Sequence, residues 1–356
     1  MNKNSKVLKT SFVILILVLL VTMYLTDSVY SGHVFDINGD GREGIAEAIF
    51  VLKVEAETIS SPGVTLADSM RTLKIAAGLP AGETGVYVND YGMTFKRIPA
   101  GSFIMGSPLS EPRREADEVE HSVTLTQPFY YQTTEVTQGQ WQAVMGSNPS
   151  GDSECGETCP VEQVSFYDAH YFANALSLAD TPTKTECYDL TDCSGTVGVN
   201  YSCSSIVILP DCTGYRLPTE AEWEYSARAD TATALYSGTY DGTYNDACGS
   251  EPNLAAIGWY CGNASGGIHP VAQLQPNSWD IYDTSGNLYE WCEDSYYDYP
   301  TSPVFDPLDT SGYLRILRGG AYSLVSSTHR SAARHTVPPT TRHDSVGFRL
   351  VLKETD

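Results

Sequence analysis

Apolar and polar residues alternate along most of the chain after residue 90, and this period-two pattern predicts short β-strands. The clearest strand segments are TFKRIPAGSFIMG, HSVTLT, YYQTTEV, RILRGG and GFRLVL. Apolar residues at helical spacing occur in only a few segments of this region. Three of these segments open with a capping pattern, in which a hydroxyl residue is followed three positions later by an acid or an amide. The capping pairs are Thr137 with Gln140, Ser165 with Asp168, and Thr219 with Glu222.

This pattern predicts the fold class of the region from residue 91 to 356. Turn-forming residues are dense, the helices are short, and no internal repeat is present. Such a chain is typical of an α+β domain that is irregular and loop-rich, with small antiparallel sheets in place of one continuous sheet.

Residues 1–31 follow a different pattern, because a basic start precedes the unbroken apolar run FVILILVLLVTMYL. Small residues, Val29 and Ser31, follow at a plausible cleavage site, as in a secretory signal peptide. The run is shorter than the roughly 20 residues that a membrane span needs, so a cleaved signal is favoured over an uncleaved anchor. We therefore expect an extracytoplasmic protein (periplasmic, cell-surface or secreted), with membrane contact only through this segment if it stays uncleaved.

The formal net charge of the chain is -23. Nucleic acid and anionic lipid would both repel such a surface, so neither is an expected partner. A protein or a carbohydrate remains as the expected ligand.

The chain has nine cysteines, and eight of them lie in small-residue loops at short spacings. In an exported protein this usage predicts local disulfides, whereas a zinc site would need tighter CxxC pairs than the chain offers. Cys292 is left over and is expected to be a buried, small apolar residue. The disulfide candidates are Cys155, Cys159, Cys187, Cys193, Cys203, Cys212, Cys248 and Cys261.

Residues 36–47, DINGDGREGIAE, fit the calcium-loop pattern D-x-[DN]-x-[DN]-G-x5-E at every specified position. Two stretches of helical spacing follow, so residues 32–82 resemble a single dockerin-type or EF-hand repeat. Dockerins proper carry two such loops and bind cohesins, so a calcium-stabilised spacer is favoured here over a cohesin partner. An acidic turn without an ion is the alternative. The expected ligands are Asp36, Asn38, Asp40, Arg42 (through its carbonyl) and Glu47.

Motifs spread from Met93 to Val351 then identify a family. They are MTFKRIPAGSFIMG, EVT at 135–137, PVEQVSF, YRLPTEAEWEYSAR, GNLYEW, RGG and GFRLV. In this order they resemble the formylglycine-generating enzyme, or sulfatase-modifying factor, family. The resemblance implies a fold related to C-type lectins, with long ordered loops and bound calcium.

The resemblance also implies one calcium site, carried by Asp283, Gly286, Leu288 and Glu290. Two acids and two exposed carbonyls within eight residues suit the oxygen-rich cage that calcium prefers. The alternative is that Asp283 caps a turn and Glu290 pairs with an arginine. A second family calcium site stays open between Asn253 and Asn263.

Members of this family that oxidise a sulfatase cysteine to formylglycine use two cysteines shortly after RGG, which bind Cu(I) as thiolates. In an ungapped reading these positions hold Leu324 and His329. Copper is therefore not supported, and no catalytic residue is assigned. Iron is not supported either, because the iron histidines of some relatives come largely from an additional helical domain that this chain lacks, although His329, His335 and His343 could in principle converge.

The segment from Arg318 to Arg349 holds five arginines and the single acid Asp344. Its arginines either pair with acids such as Glu220, Glu222 and Glu224 or serve recognition. The small, mixed side chains between them suit a ligand-binding face. Its expected residues are Tyr322, Ser323, Leu324, Ser326, Thr328, His329, His335, Thr336, Thr340, Arg342 and His343.

The favoured function is therefore an exported, calcium-binding domain of this family that acts as a binding or accessory module. The first alternative is a true enzyme of the family, either a formylglycine-generating oxidase or a nonheme-iron enzyme. The second is a variable binding protein of a diversity-generating retroelement, since such relatives diversify the same C-terminal segment.

Overall fold

The computed structural model of the protein describes residues 85–240, 242 and 248–354. The expected signal or anchor at 1–31 lies outside the described residues, and so does the EF-hand-like segment 32–82 with its loop residues Asp36, Asn38, Asp40, Arg42 and Glu47. Within the described part of the chain, no helix has the length and apolar character needed to cross a bilayer.

Fourteen short strands, four α-helices and two short 3₁₀ turns make up the described regular structure. The helices are α1 (Gln138–Met145), α2 (Phe166–Ala179), α3 (Glu220–Arg228) and α4 (Pro252–Ala255). The strands are β1 (Val86–Val88), β2 (Thr94–Ile98), β3 (Gly101–Met105), β4 (His121–Leu125), β5 (Phe129–Gln132), β6 (Tyr188–Thr191), β7 (Ser205–Ile208), β8 (Tyr215–Arg216), β9 (Tyr289–Ser295), β10 (Val304–Phe305), β11 (Arg315–Arg318), β12 (His335–Val337), β13 (Val346–Gly347) and β14 (Val351–Lys353).

The predicted α+β, loop-rich fold is confirmed, but two of its small sheets are mixed and not purely antiparallel, because β10 pairs with β4 and β13 with β9 in parallel. The strands form four small sheets, with the orders β1-β2-β5-β14-β8, β10-β4-β3, β12-β11-β9-β13 and β6-β7. The three expected capping boxes open α1, α2 and α3, and each hydroxyl and its partner three residues on bond reciprocally. At α2, for example, the Ser165 amide donates to Asp168 Oδ2 at 2.8 Å, so aspartate serves there in place of glutamate.

The central strand β9 sets the geometry of the C-terminal region, because all seven of its residues are buried. Strand β11 pairs with it in antiparallel fashion, with Arg318 opposite Glu290, and β13 pairs with it in parallel, with Gly347 opposite Glu290. The chain between β11 and β13 therefore begins and ends beside the same buried glutamate.

The predicted disulfide framework is confirmed. All eight candidate cysteines are bridged, as Cys155–Cys159, Cys187–Cys212, Cys193–Cys203 and Cys248–Cys261. Cys292 is the free cysteine, and it is fully buried in an apolar cluster.

Candidate functional site

Four of the five arginines of the C-terminal segment have side chains that lie inside the domain. Arg318 is fully buried, and its guanidinium donates to Glu220 Oε1 at 2.8 Å and to Glu224 Oε2 at 2.6 Å. Arg334 donates to both oxygens of Glu220 at 2.7 and 2.9 Å. Burial would raise the pKa of Glu220, but the guanidinium groups of Arg334 and Arg318 outweigh burial and lower it. These arginines therefore join the segment to helix α3.

The same holds for Arg330 and Arg349. Arg330 donates to both oxygens of Glu118 at 2.7 Å and to Glu111 at 2.8 Å. Arg349 donates to both oxygens of Glu290 at 2.6 and 2.7 Å. The expectation that these arginines pair with acids is confirmed, but Glu222 is not one of their partners. Glu222 bonds Arg216 instead, at 2.6 and 2.7 Å.

The two positions that carry thiolates in the oxidases of the resembling family cannot bind copper in that way here. Leu324 has no donor atom, and the ring nitrogens of the fully buried His329 lie 3.1 Å from the carbonyl oxygens of Val325 and Ala321. Burial lowers the pKa of His329 to about 4. Gly320 is required beside it, because a Cβ there would lie 2.7 Å from the imidazole ring and the residue has φ +76°. His329 therefore acts as an internal support of the loop.

The expected ligand-binding face needs a correction. Ser326 and His329 are buried in the 3₁₀ turn Ser326–His329, so they offer nothing to solvent. Their hydroxyl and imidazole groups are directed inward because the turn folds back against the chain after Gly320. The other nine residues keep some or full exposure: Tyr322, Ser323, Leu324, Thr328, His335, Thr336, Thr340, Arg342 and His343.

The three histidines of the segment have different surroundings. His335 lies in the edge strand β12, and its ring stacks on Tyr289 with a centroid distance of 5.2 Å. His343 is exposed and lies 2.7 Å from Asp344, whereas His329 is buried. In the described part of the chain, no three His, Cys, Asp or Glu side chains form a group that could hold a metal ion.

The guanidinium of Arg342, one of the residues of the face, is held by two contacts within the domain. It lies 2.8 Å from Asp168 Oδ2 at the start of α2 and donates to the Tyr201 carbonyl at 2.9 Å. Because Tyr201 belongs to the loop between β6 and β7, Arg342 connects the C-terminal segment to that hairpin.

Three of the four expected calcium residues, Asp283, Gly286 and Leu288, lie in a tight loop before β9, and Glu290 lies in β9 itself. Asp283, Gly286 and Asn287 all have positive φ, and a Cβ on Gly286 would lie 2.3 Å from the Trp259 carbonyl oxygen. Asp283 is buried. Its Oδ2 accepts from the Ala272 amide at 2.7 Å, but its Oδ1 has no hydrogen-bond partner.

Glu290, which was expected to bind calcium, already accepts hydrogen bonds from other side chains. Its carboxylate accepts two bonds from Arg349 and one from Trp223 Nε1 at 2.8 Å. The pairing that the sequence left open as an alternative is thus present for Glu290. An ion at this loop would rest on Asp283 and on backbone carbonyls such as those of Gly286 and Leu288, with Glu290 fixed by Arg349.

Glu135 is the residue that the sequence interpretation did not include. It follows β5, it is fully buried, and neither carboxylate oxygen has a hydrogen-bond partner. Burial and then the Asp283 carboxylate raise the pKa of Glu135 well above its usual range. Burial likewise raises the pKa of Asp283 to about 6. The EVT motif contains Glu135, but a motif does not tell which carboxylates share one interior region.

Comparison with known proteins finds relatives that match most of the described domain. A family model described as "Sulfatase-modifying factor enzyme 1-like domain" matches residues 91–354. Chaperone protein LppX of Paenibacillus barcinonensis is 35% identical over 219 residues, which are 58% of this chain and 73% of that protein. The formylglycine-generating enzyme of Streptomyces coelicolor is 29% identical over 284 residues, 71% of this chain and 87% of that protein.

A solved structure is similar over the same region. That of Treponema denticola variable protein 1 has a TM-score of 0.61 and 28% identity, and the match covers 76% of this chain and 98% of that one.

Proposed function

This chain belongs to the sulfatase-modifying factor enzyme 1-like family, and we propose that its described domain is a binding or accessory module without formylglycine-generating oxidase activity. One observation carries the proposal. All nine cysteines are accounted for by four disulfides and the buried Cys292. A Cu(I) site of the family type needs two neighbouring thiolates, and soft sulfur ligands are what that ion selects.

The proposed binding face is the exposed part of the C-terminal segment. Ser323, His335, Thr340 and His343 are exposed there, on a backbone held by the buried pairs of Arg318, Arg330, Arg334 and Arg349 with glutamates. Small polar side chains on a rigid frame suit recognition of a protein or a carbohydrate. A second candidate is a variable binding protein, which the similarity to Treponema denticola variable protein 1 favours.

Calcium at the loop before β9 is part of the proposal. Glu135, Asp283 and Glu290 are buried with Arg349 as the guanidinium beside them, so three carboxylates and one cation leave two negative charges in the interior when all are ionised. A divalent cation would neutralise this excess, and the unpartnered Asp283 Oδ1 offers it a ligand atom. Bound calcium would hold the loop in one conformation. The carboxylates of Asp283 and Glu135 would balance the charge of the ion.

Export is the remaining part. Four disulfides in one domain fit an oxidising compartment, since the cytosol keeps thiols reduced. An extracytoplasmic location agrees with the basic-then-apolar start of the chain.

An oxygen-consumption assay tests the choice between module and oxidase. The full chain would be incubated with a sulfatase peptide containing CxPxR, with Cu(I) or Fe(II) added, and the peptide mass recorded. We expect no oxygen uptake above the metal blank and an unchanged peptide, because no thiolate pair is present. The formylglycine-generating enzyme of Streptomyces coelicolor serves as the positive control. Conversion of the peptide cysteine by this chain would refute the proposal.

A further inference from the structure

A groove separate from the C-terminal segment lies between helix α2 and the β6–β7 hairpin. Its volume is about 750 Å³, within the range of ligand sites. Helix α2 contributes Tyr171 and Leu178 to it, and the hairpin region contributes Glu186, Asp189 and Leu209. None of the residues of the C-terminal ligand-binding face lines this groove.

The walls of the groove are held in place by several bonds. The Asn174 amide on α2 donates to the Tyr188 carbonyl at 2.7 Å and accepts from the Cys187 and Tyr188 amides at 3.1 and 3.2 Å. The disulfides Cys187–Cys212 and Cys193–Cys203 close the hairpin across its two arms. The groove is therefore preformed, which lowers the ordering cost of binding.

Several large apolar side chains are exposed along the groove. Tyr171, Leu178 and Leu209 are each more than a third exposed, and Val207 is half exposed on the neighbouring strand. Contiguous exposed apolar side chains mark interaction sites more often than isolated ones do. Tyr171 and Tyr201 meet edge to face at 5.3 Å and form an aromatic corner.

The charged side chains that line the groove are both acidic. Glu186 and Asp189 are exposed carboxylates at its hairpin side, and neither has a salt bridge to a cation among the described residues. The nearby Lys184 is committed to Asp180 at 2.9 Å. Aliphatic walls, tyrosine rings and two carboxylates together match the stem and the head of a lysine or arginine side chain.

We infer that the groove between α2 and the β6–β7 hairpin binds a peptide segment that carries lysine or arginine. The basic head pairs with Glu186 and Asp189, and the methylene stem lies against Leu178 and Leu209. A neutral oligosaccharide fits less well, because Tyr171 is the one well-exposed ring of the aromatic corner and two carboxylates would stay without a cation. The inference stands whether or not the C-terminal segment also binds a ligand.

Ligand-observed 19F NMR tests this on the full chain. The probe is N-trifluoroacetyl-Ala-Lys-Leu-Lys-Ala-amide, and its counterpart with glutamate in place of lysine is the charge control. We expect line broadening of the lysine probe only. Glu186→Gln with Asp189→Asn should weaken its binding by about tenfold, since each exposed ion pair contributes modestly.

A matched pair of substitutions separates the groove from general acidity. Asp192→Asn with Asp211→Asn removes the same charge from exposed positions of the same hairpin region, away from the groove lining. These variants should bind the lysine probe as the wild type does. The inference is overturned if the lysine probe shows no broadening at millimolar concentrations of protein and probe. It is also overturned if the glutamate probe binds equally well, or if both double variants lose the same amount of affinity for the lysine probe.

Discussion

Replacing Arg330 with leucine should lower the free energy of unfolding by about 3–5 kcal/mol, the range expected when one partner of a buried ion pair is removed. Arg330 is almost fully buried and donates to both oxygens of Glu118 and to Glu111. Without it, the Ser107 hydroxyl and the Glu115 amide are the donors that remain to the buried Glu118 carboxylate among the described residues. Urea unfolding followed by circular dichroism measures the change.

Arg97→Leu is the matched control for Arg330→Leu. Arg97 also binds a carboxylate through two nitrogens, Glu354 at 2.6 and 2.9 Å, but its side chain is 36% exposed. Solvent weakens such a pair, so the loss there should stay below about 1 kcal/mol. Adding Glu118→Gln to Arg330→Leu should restore part of the stability, because the unpaired charge is then gone. Equal losses in the two arginine variants would show that the segment is not held by its buried pairs.

Calcium should raise the melting temperature of the chain after treatment with EDTA. Calcium at 100 times its dissociation constant stabilises a protein by about 2.7 kcal/mol, which is about 5–10 °C for a domain of this size. The physical cause is that a divalent ion stabilises the ionised carboxylates of Asp283 and Glu135, whose pKa values are raised by burial, while Arg349 is already paired with Glu290. Differential scanning calorimetry with and without calcium measures the shift.

Two sets of variants locate the calcium effect. Glu135→Gln with Asp283→Asn should remove the increase and, without calcium, leave the domain at least as stable as wild type, since a neutral amide costs less to bury than an ionised carboxylate. Asp40→Asn alters the calcium loop at 36–47 and should leave the increase in the described domain in place. If the first pair of substitutions kept the full increase and Asp40→Asn removed it, the ion would belong to the N-terminal loop.

The sequence predicted local features well, because these depend on neighbours along the chain. The capping boxes of α1, α2 and α3 need only residues three apart, and all three are present. The cysteines to be bridged were predicted correctly, but not which pairs form among the four between residues 187 and 212. Cys187 pairs with Cys212 and Cys193 with Cys203, because the antiparallel β6–β7 hairpin aligns its start with its end.

Features that depend on distant contacts were harder to predict. Whether Arg349 or solvent faces Glu290 depends on the parallel pairing of β13 with β9, which no local pattern specifies. The burial of Ser326 and His329 depends on the 3₁₀ turn closing over Gly320. Glu135 gave no sequence-level sign of its buried, unpartnered state, since that requires knowing what packs around it.

Counting reactive thiols gives the most direct test of the central claim that the domain offers no pair of reduced cysteines. A thiol reagent such as 5,5′-dithiobis(2-nitrobenzoate) would be applied to the purified chain without reductant, first native and then unfolded. We expect no reactive thiol in the native protein, one after unfolding, from Cys292, and nine after reduction. Two thiols reacting in the native protein would contradict this claim.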